Sequence, residues 1–216
     1  MKNDESIKIS VRNLIEFVLR AGDIDSRFRS MNRALAGTRA HQKVQKSKGD
    51  NYRPEVFLSY KVEHDGLTYI VEGRADGIIL DEDKVTIDEI KSTTLPLDMI
   101  EENFNHLHWT QAMCYAYFYS MQNDLNEIDV QLTYFHIDSE EIKNFVKTFN
   151  LNELKIFFND LLDKYNVWAH FTREWILKRN QSIKKLDFPF PSYREGQRNF
   201  AVAVYKTITA NKKLFV

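Results

Sequence analysis

The sequence GRADGIILDEDKVTIDEIKS, residues 73–92, contains the strongest structural signal in this chain. Its two halves belong to residues 67–80 and 84–92, which are rich in the β-branched and aromatic residues that strands favour. The polar stretch between them, 81–84, suits a tight turn. We therefore predict an antiparallel hairpin with Glu82 and Asp83 as its two-residue loop.

The hairpin determines which side chains come together. If Asp81 pairs with Lys84, counting back along both strands places Asp76 opposite Glu89. Alternate residues of a strand share a face, so Lys91 lies on the same side as Glu89. Opposed carboxylates repel each other. A divalent cation between them would remove that repulsion, and Lys91 could then orient a water, which is an arrangement for metal-dependent hydrolysis.

A less specific interpretation has to be weighed beside this one. Carboxylates on strands near a hairpin are most often solvated surface charges, and a bulge in either strand would shift the register. The small residues on both sides of Asp76, Ala75 and Gly77, favour a functional site.

Composition sets the class of protein. The 216 residues are enough for one domain with a substantial core, or for one domain plus a fragment. The single cysteine, Cys114, excludes an internal disulfide and a four-cysteine cluster. No stretch approaches ~20 apolar residues, and the N-terminus has no apolar signal core. We expect a cytoplasmic protein without a membrane partner.

Charge is unevenly distributed, although the formal net charge is −1. Residues 26–49 contain basic and no acidic side chains, 72–102 are rich in acids, and the chain from Arg173 onward is basic again. Basic flanks around an acidic centre suit a polyanion held over a metal site. The alternative is that each run is a solvated helix face.

Periodicity and capping signals predict the order α-α-β-β-β-α-β-β-α, an α/β sandwich with a central mixed β-sheet flanked by helices. Ser10 is the predicted N-cap of a first helix that Gly22 could close. Asn150 and Glu153 predict a capping box at the start of a long helix. The other segments are a helix over about 28–46, strands over 55–63, 130–137 and 142–149, and a helix over about 105–121.

The long helix carries an apolar stripe that we predict to be core packing rather than a base-stacking platform: Leu154, Phe157, Leu161, Tyr165, Trp168, Phe171 and Trp175.

Two further positions fit the metal hypothesis. His41 lies on the basic second helix, and imidazole is an acceptable ligand for Mn²⁺. Gln111 and Tyr115 are four residues apart, share a helix face, and could hold a phosphate or a strand terminus. Alternatively, His41 is an ordinary helix residue and Tyr115 belongs to the core.

Together, GTRAHQ, GRADG, DEIKS and QAMCYA resemble the RecB-like branch of the PD-(D/E)XK nucleases, over about 10–176. The resemblance implies a restriction-endonuclease-like fold and phosphodiester cleavage that depends on Mg²⁺ or Mn²⁺. It implies Asp76, Glu89 and Lys91 as catalytic residues, and it implies a metal held by His41, Asp76, Glu89 and the backbone carbonyl of Ile90. The family's Q-x-x-x-Y motif falls on Gln111 and Tyr115, and we predict these two residues, with Arg39 and Arg74, as nucleic-acid contacts. Many relatives bind an iron–sulfur cluster through four cysteines, which this chain lacks.

The C-terminal residues 188–216 resemble the start of a DinG/XPD-type helicase, on the match of Arg194, Gly196 and Gln197 to its Q-motif-like signature. A phosphate-binding loop is absent, so we expect no ATP binding. The alternative is an ordinary helix. We predict a nuclease domain over 1–186 and the beginning of a helicase domain over 187–216, with a helicase as partner in the full-length protein.

We therefore expect a metal-dependent deoxyribonuclease, an exonuclease on single-stranded DNA that acts in DNA repair, recombination or processing. The alternative is a catalytically silent nucleic-acid-binding module that loads DNA onto a fused helicase. A metal-dependence assay on labelled DNA separates the two.

Overall fold

A six-stranded mixed β-sheet flanked by helices forms the framework of the chain, and the predicted α/β class is confirmed. The structure is a computed structural model that describes residues 6–21 and 31–215. The strands are β1 (Ile7–Ser10), β2 (Tyr52–His64), β3 (Leu67–Leu80), β4 (Val85–Thr93), β5 (Glu127–His136) and β6 (Ile142–Asn150). The helices are α1 (Val11–Leu19), α2 (Met31–Ser47), α3 (His106–Asn123), α4 (Leu151–Lys184) and α5 (Gln197–Thr209), with a short 3₁₀ turn at Leu97–Met99.

Strand β3 organises the sheet. The strand order is β1-β3-β4-β5-β6, and β2 pairs with β3 outside this path. Because β2 follows β3 from Leu67 to Ile79, β1 and β4 must share the other edge of β3. There β1 pairs in parallel with residues 69–72, and β4 pairs antiparallel with residues 77–80. Residues 73–76 lie between these two pairings, so the strands fork at this point.

The hairpin register agrees with the sequence prediction. Gly77 is paired with Asp88 and Leu80 with Val85, and the backbones of Asp81 and Lys84 bond to each other across the turn. No residue is inserted between these pairs. The described pairing ends at Gly77 and Asp88, so Asp76 and Glu89, the next positions in this register, lie where β4 begins to leave β3.

The predicted helix starts are confirmed by their caps. The Ser10 side chain accepts a hydrogen bond from the Asn13 amide at the start of α1. Asn150 and Glu153 exchange two side-chain to backbone hydrogen bonds of 2.9 Å, which completes the predicted capping box. The predicted closing residue Gly22 and the first residues of the predicted second helix, 28–30, lie outside the described residues.

The apolar stripe of α4 is only partly core. Leu154 and Leu161 are buried, whereas Trp168, Phe171 and Trp175 are 46, 57 and 58% exposed. The core-packing prediction was right for the first half of the stripe and wrong for the second. The last buried residue of α4 is Ala169, and a helix of this length runs on for several more turns.

The chain divides into two compact units, Met1–His170 and Phe171–Val216. The second unit contains helix α5, and within it the rings of Phe188 and Tyr193 stack with centroids 4.2 Å apart. The boundary at residue 186 and the helicase resemblance stay predictions. Across residues 6–21 and 31–215, no helix has both the length and the hydropathy needed to cross a membrane.

Candidate active site

The predicted catalytic residues meet at the fork between β3 and β4. Asp76 is the last residue of the stretch of β3 that pairs with neither β1 nor β4, and its Oδ2 atom accepts a hydrogen bond of 2.8 Å from the Ile90 amide. The Asp76 side chain therefore accepts the hydrogen bond that the backbone of β3 would accept in a regular strand pair. The bond fixes one carboxylate oxygen of Asp76 beside the backbone of β4, next to Glu89.

A cavity of about 500 Å³ opens at this fork. Its lining includes the four residues predicted from the motifs, His41, Asp76, Glu89 and Lys91, together with Gln111. They come from α2, β3, β4 and α3, so the fold brings together positions that are distant in the sequence.

Glu89 is the most unusual group in the cavity. Its residue is 0% exposed, and Lys91 Nζ donates to its Oε1 atom at 2.5 Å. Its Oε2 atom is buried and finds no hydrogen-bond partner within the described chain. Burial raises the pKa of Glu89 to about 7, although the charge of Lys91 opposes this shift. An unpartnered buried carboxylate oxygen is costly and requires a physical explanation.

His41 faces the other carboxylate. Its Nδ1 atom lies 3.3 Å from Asp76 Oδ1, so both oxygens of Asp76 have neighbours. Burial by itself lowers the pKa of His41, but the hydrogen bond and charge of Asp76 outweigh burial and raise that pKa above its ordinary value. The neighbouring carboxylate of Asp76 therefore favours the protonated form of His41.

Lys91 also reaches the helix side of the cavity, where its Nζ atom is 3.5 Å from Gln111 Oε1. Tyr115, one turn further along α3, is only 3% exposed. A Cβ atom on Gly73 would lie 2.5 Å from the Tyr115 hydroxyl, which shows how closely this ring approaches β3. Gln111 thus faces the cavity, Tyr115 lies in the core beneath it, and contact of either with a nucleic acid stays a prediction.

The two predicted arginines are elsewhere. Arg39 and Arg74 are exposed, and neither is part of the cavity lining found among the described residues. Arg74 Nη1 donates to the carbonyl of Glu55 at 3.2 Å. Their contact with a nucleic acid also stays a prediction.

Sequence reasoning missed the other polar residues of the cavity lining: Arg12, Glu16, Asn105 and His108. His108 lines the cavity three residues before Gln111 on the same helix face, a spacing that could have identified it. Its Nδ1 atom lies 2.9 Å from the Tyr134 hydroxyl, and its Nε2 atom accepts a hydrogen bond from the Asn105 amide. Burial, with the charge of Lys91 adding to it, lowers the pKa of His108 to about 3.

Arg12, on α1, was also missed. Its Nε atom donates to Glu16 at 2.8 Å, and both side chains line the cavity. No local signal could have placed α1 here, because its position depends on the pairing of β1 with β3.

The residues present are compatible with a divalent cation, although they do not form a complete cage. Within residues 6–21 and 31–215, no group of three or more His, Cys, Asp or Glu residues is arranged to hold a metal ion. Mg²⁺ commonly uses one or two carboxylates with waters and substrate phosphates instead of an all-protein site. The unpartnered Oε2 of Glu89, beside Asp76, is the kind of oxygen such an ion needs.

Comparison with known proteins does not add an identity. No family model matches the sequence, and no curated protein matches it. Similar solved structures include SSO0001, with 20% identity over 73% of this chain and 76% of that chain and a TM-score of 0.47. They also include Scheffersomyces stipitis Rai1 in complex with (3'-NADP)⁺ and calcium ion, with 13% identity over 82% of this chain and 62% of that chain and a TM-score of 0.32. These values are too low to assign a family or a function.

Proposed function

We propose that this chain is a metal-dependent nuclease that hydrolyses phosphodiester bonds of DNA. The observation that carries the proposal is Glu89, a fully buried carboxylate with one unpartnered oxygen, in the same cavity as Asp76 and Lys91. A fold retains such a group at a cost in stability, and groups of this kind concentrate at functional sites.

Two carboxylates, Asp76 and Glu89, would hold Mg²⁺ or Mn²⁺ together with His41 and the carbonyl of Ile90. The bound ion would act as a Lewis acid on the phosphate and make water a better nucleophile.

The roles of the side chains follow from their contacts. The Ile90 amide fixes the orientation of the Asp76 carboxylate, and His41 holds its other oxygen. Lys91 lies between Glu89 and Gln111, from where its ammonium group can donate to a water or to a phosphate oxygen. Because the cavity is partly shielded from solvent, charge interactions inside it are stronger than in bulk water.

Single-stranded DNA is the substrate that we propose. A cavity of about 500 Å³ has the size of a small-ligand pocket, which suits an unpaired nucleotide better than a duplex. The exposed basic side chains of Arg39 and Arg74 supply positive charge outside the cavity for the strand that leads to it.

An end-labelled cleavage assay tests the proposal. Single- and double-stranded DNA are incubated with the full chain in Mg²⁺, Mn²⁺ or excess EDTA. We expect cleavage of single strands in either metal and none in EDTA, and loss of cleavage in Asp76→Asn and Glu89→Gln. Asp83→Asn, an exposed carboxylate in the β3–β4 turn, is the matched control and should cleave like the wild type.

Two results would contradict the proposal. Cleavage that persists in EDTA would show that the reaction does not depend on a metal ion. DNA binding without cleavage in any metal would favour the non-catalytic binding module instead.

A further inference from the structure

A second buried carboxylate, Asp88, directly precedes Glu89 on β4, and both residues are 0% exposed. Successive side chains of a strand point to opposite faces, so the two carboxylates face different layers. Unlike Glu89, Asp88 is fully surrounded by partners. Its oxygens accept hydrogen bonds from Tyr52 at 3.1 Å, Gln131 at 3.0 Å and Thr133 at 2.5 Å.

Asp88 also has a charged partner, and that partner connects it to helix α2. Lys48 Nζ lies 3.6 Å from Asp88 Oδ2, and the lysine side chain is only 21% exposed. Lys48 directly follows the last residue of α2, and its amide bonds to the Gln45 carbonyl. The ion pair therefore ties the end of α2 to the central strand β4.

The same face of α2 makes two further contacts with the hairpin. His41 and Gln45 are four residues apart and share a face of α2, and Lys48, the first residue after the helix, continues this row at i+7. His41 faces the Asp76 carboxylate at 3.3 Å. Gln45 Nε2 donates to the backbone carbonyl of Asp76 at 2.9 Å and to Glu55 at 3.0 Å. Gln45 and Lys48 thus fix α2 in the position that brings His41 next to Asp76.

We propose that Gln45 and Lys48 are positioning residues, anchored on Asp76 and Asp88, that hold His41 against the Asp76 carboxylate. Only the assignment of His41 to a metal site rests on the proposed function; the positioning itself does not. Outer contacts that orient a ligand side chain are as much a part of such sites as the ligands themselves.

The opposite face of α2 provides a matched control. Lys43 is paired with Glu140 at 2.5 Å, but both side chains are more than half exposed. An exposed pair of this kind contributes little to the position of a helix. Lys43→Met therefore removes the same group as Lys48→Met, but from the exposed face of α2 and not from the anchored end.

Reaction of His41 with diethyl pyrocarbonate, measured by peptide mass spectrometry on the full chain without metal, tests the positioning. The His41 side chain is 27% exposed and shielded by Asp76. We expect Lys48→Met and Gln45→Met to increase its modification rate about fivefold, the effect of losing one buried ion pair or hydrogen bond of ordinary strength. Lys43→Met and the conservative Lys48→Arg should react like the wild type. Wild-type reactivity in both Lys48→Met and Gln45→Met would overturn the proposal, and the second variant decides if the first does not fold.

Mn²⁺ affinity, measured by titration calorimetry, provides the second readout. Lys48→Met should bind Mn²⁺ about tenfold more weakly, as other changes behind a ligand do, while Lys43→Met should not. Reduced thermal stability with unchanged His41 reactivity would assign Lys48 a purely structural role and refute positioning. A wild-type chain that binds no Mn²⁺ would instead refute the proposed function, and the His41 reactivity would still decide the positioning.

Discussion

Gly77 lies directly against the side chain of Tyr52, so closely that a Cβ atom at this glycine would be 1.9 Å from the tyrosine hydroxyl and 2.0 Å from its Cζ atom. The tyrosine crosses the glycine to reach Asp88, which is the β4 partner of Gly77. The second glycine of GRADG is therefore required by packing and not by an unusual backbone angle, because its φ is not positive.

Gly77→Ala should destabilise the chain by at least ~2 kcal/mol, since the Tyr52 ring must move and Asp88 loses a buried hydrogen bond. Urea unfolding measures the change. Gly37→Ala is the control, because a Cβ there meets only the Ser92 side chain at 3.4 Å. Adding Tyr52→Leu to Gly77→Ala should relieve the clash, so the double variant should lose less unfolding free energy than the sum of the two single variants. A loss equal to that sum would argue against the clash.

Lys91→Ala should retain Mn²⁺ and DNA binding but lose at least ~100-fold in cleavage rate, because the lysine is proposed to act on the reacting water or phosphate and not as a ligand. Single-turnover cleavage with separately measured DNA affinity distinguishes the two steps. Lys84→Ala is the control, because this lysine lies at the end of the hairpin turn and is paired with Asp129. This variant should cleave like the wild type. Loss of metal binding in Lys91→Ala would show that the lysine organises the ligands.

Glu89→Gln should change the pH dependence of stability. The pKa of Glu89 rises from 4.5 in the unfolded chain to about 7 in the fold. Below pH 4.5 both states bind the proton. Between these values only the folded state keeps it, so the free energy of unfolding falls as pH rises, by about 3 kcal/mol in total.

The glutamine variant lacks this loss and should become increasingly more stable than the wild type from about pH 4.5 to 7. Urea titrations in EDTA across this range measure the difference. A constant difference between the two proteins would show that Glu89 is not held in a pKa-raising environment.

His108 should have the opposite effect in acid. Its pKa falls from 6.5 to about 3, so below pH 6.5 the unfolded chain binds a proton that the folded chain does not. Stability due to this residue is therefore lost as pH falls, by about 2 kcal/mol at pH 5. His108→Asn does not titrate, so its melting temperature should fall less steeply than that of the wild type as the pH is lowered from 6.5. An equally steep fall would contradict a buried neutral imidazole.

Local signals in the sequence were sufficient for the hairpin. Strand composition and a polar turn predicted the register through Gly77 and Asp88, and the caps at Ser10 and Asn150 appear where their residue types favour them. These features depend on neighbours in sequence. The meeting of His41 with Asp76 at the fork depends on the packing of α2 over β4 and β5, and its only signals in the sequence were the residue type of His41 and the family resemblance.

Features that depend on distant partners were not predictable from the same residues. Strand β1 is four residues long and exists because it pairs with residues 69–72 of β3, so no periodic pattern marks it. Asp88 and Glu89 look alike in sequence. Only the fold places Tyr52, Lys48 and Gln131 around the first and leaves an oxygen of the second unpartnered.

The neighbouring carboxylates of β4 limit how the gene for this chain can change. Inserting or deleting one codon within Val85–Asp88 would move every later side chain of the strand to the other face. Asp88 would then enter the cavity, and Glu89 would be placed among partners spaced for a shorter side chain. Substitutions in β4 alter one contact at a time, whereas a change of length exchanges two functions at once. Length variation should therefore be tolerated in the exposed turn at 81–84 and excluded from the strand.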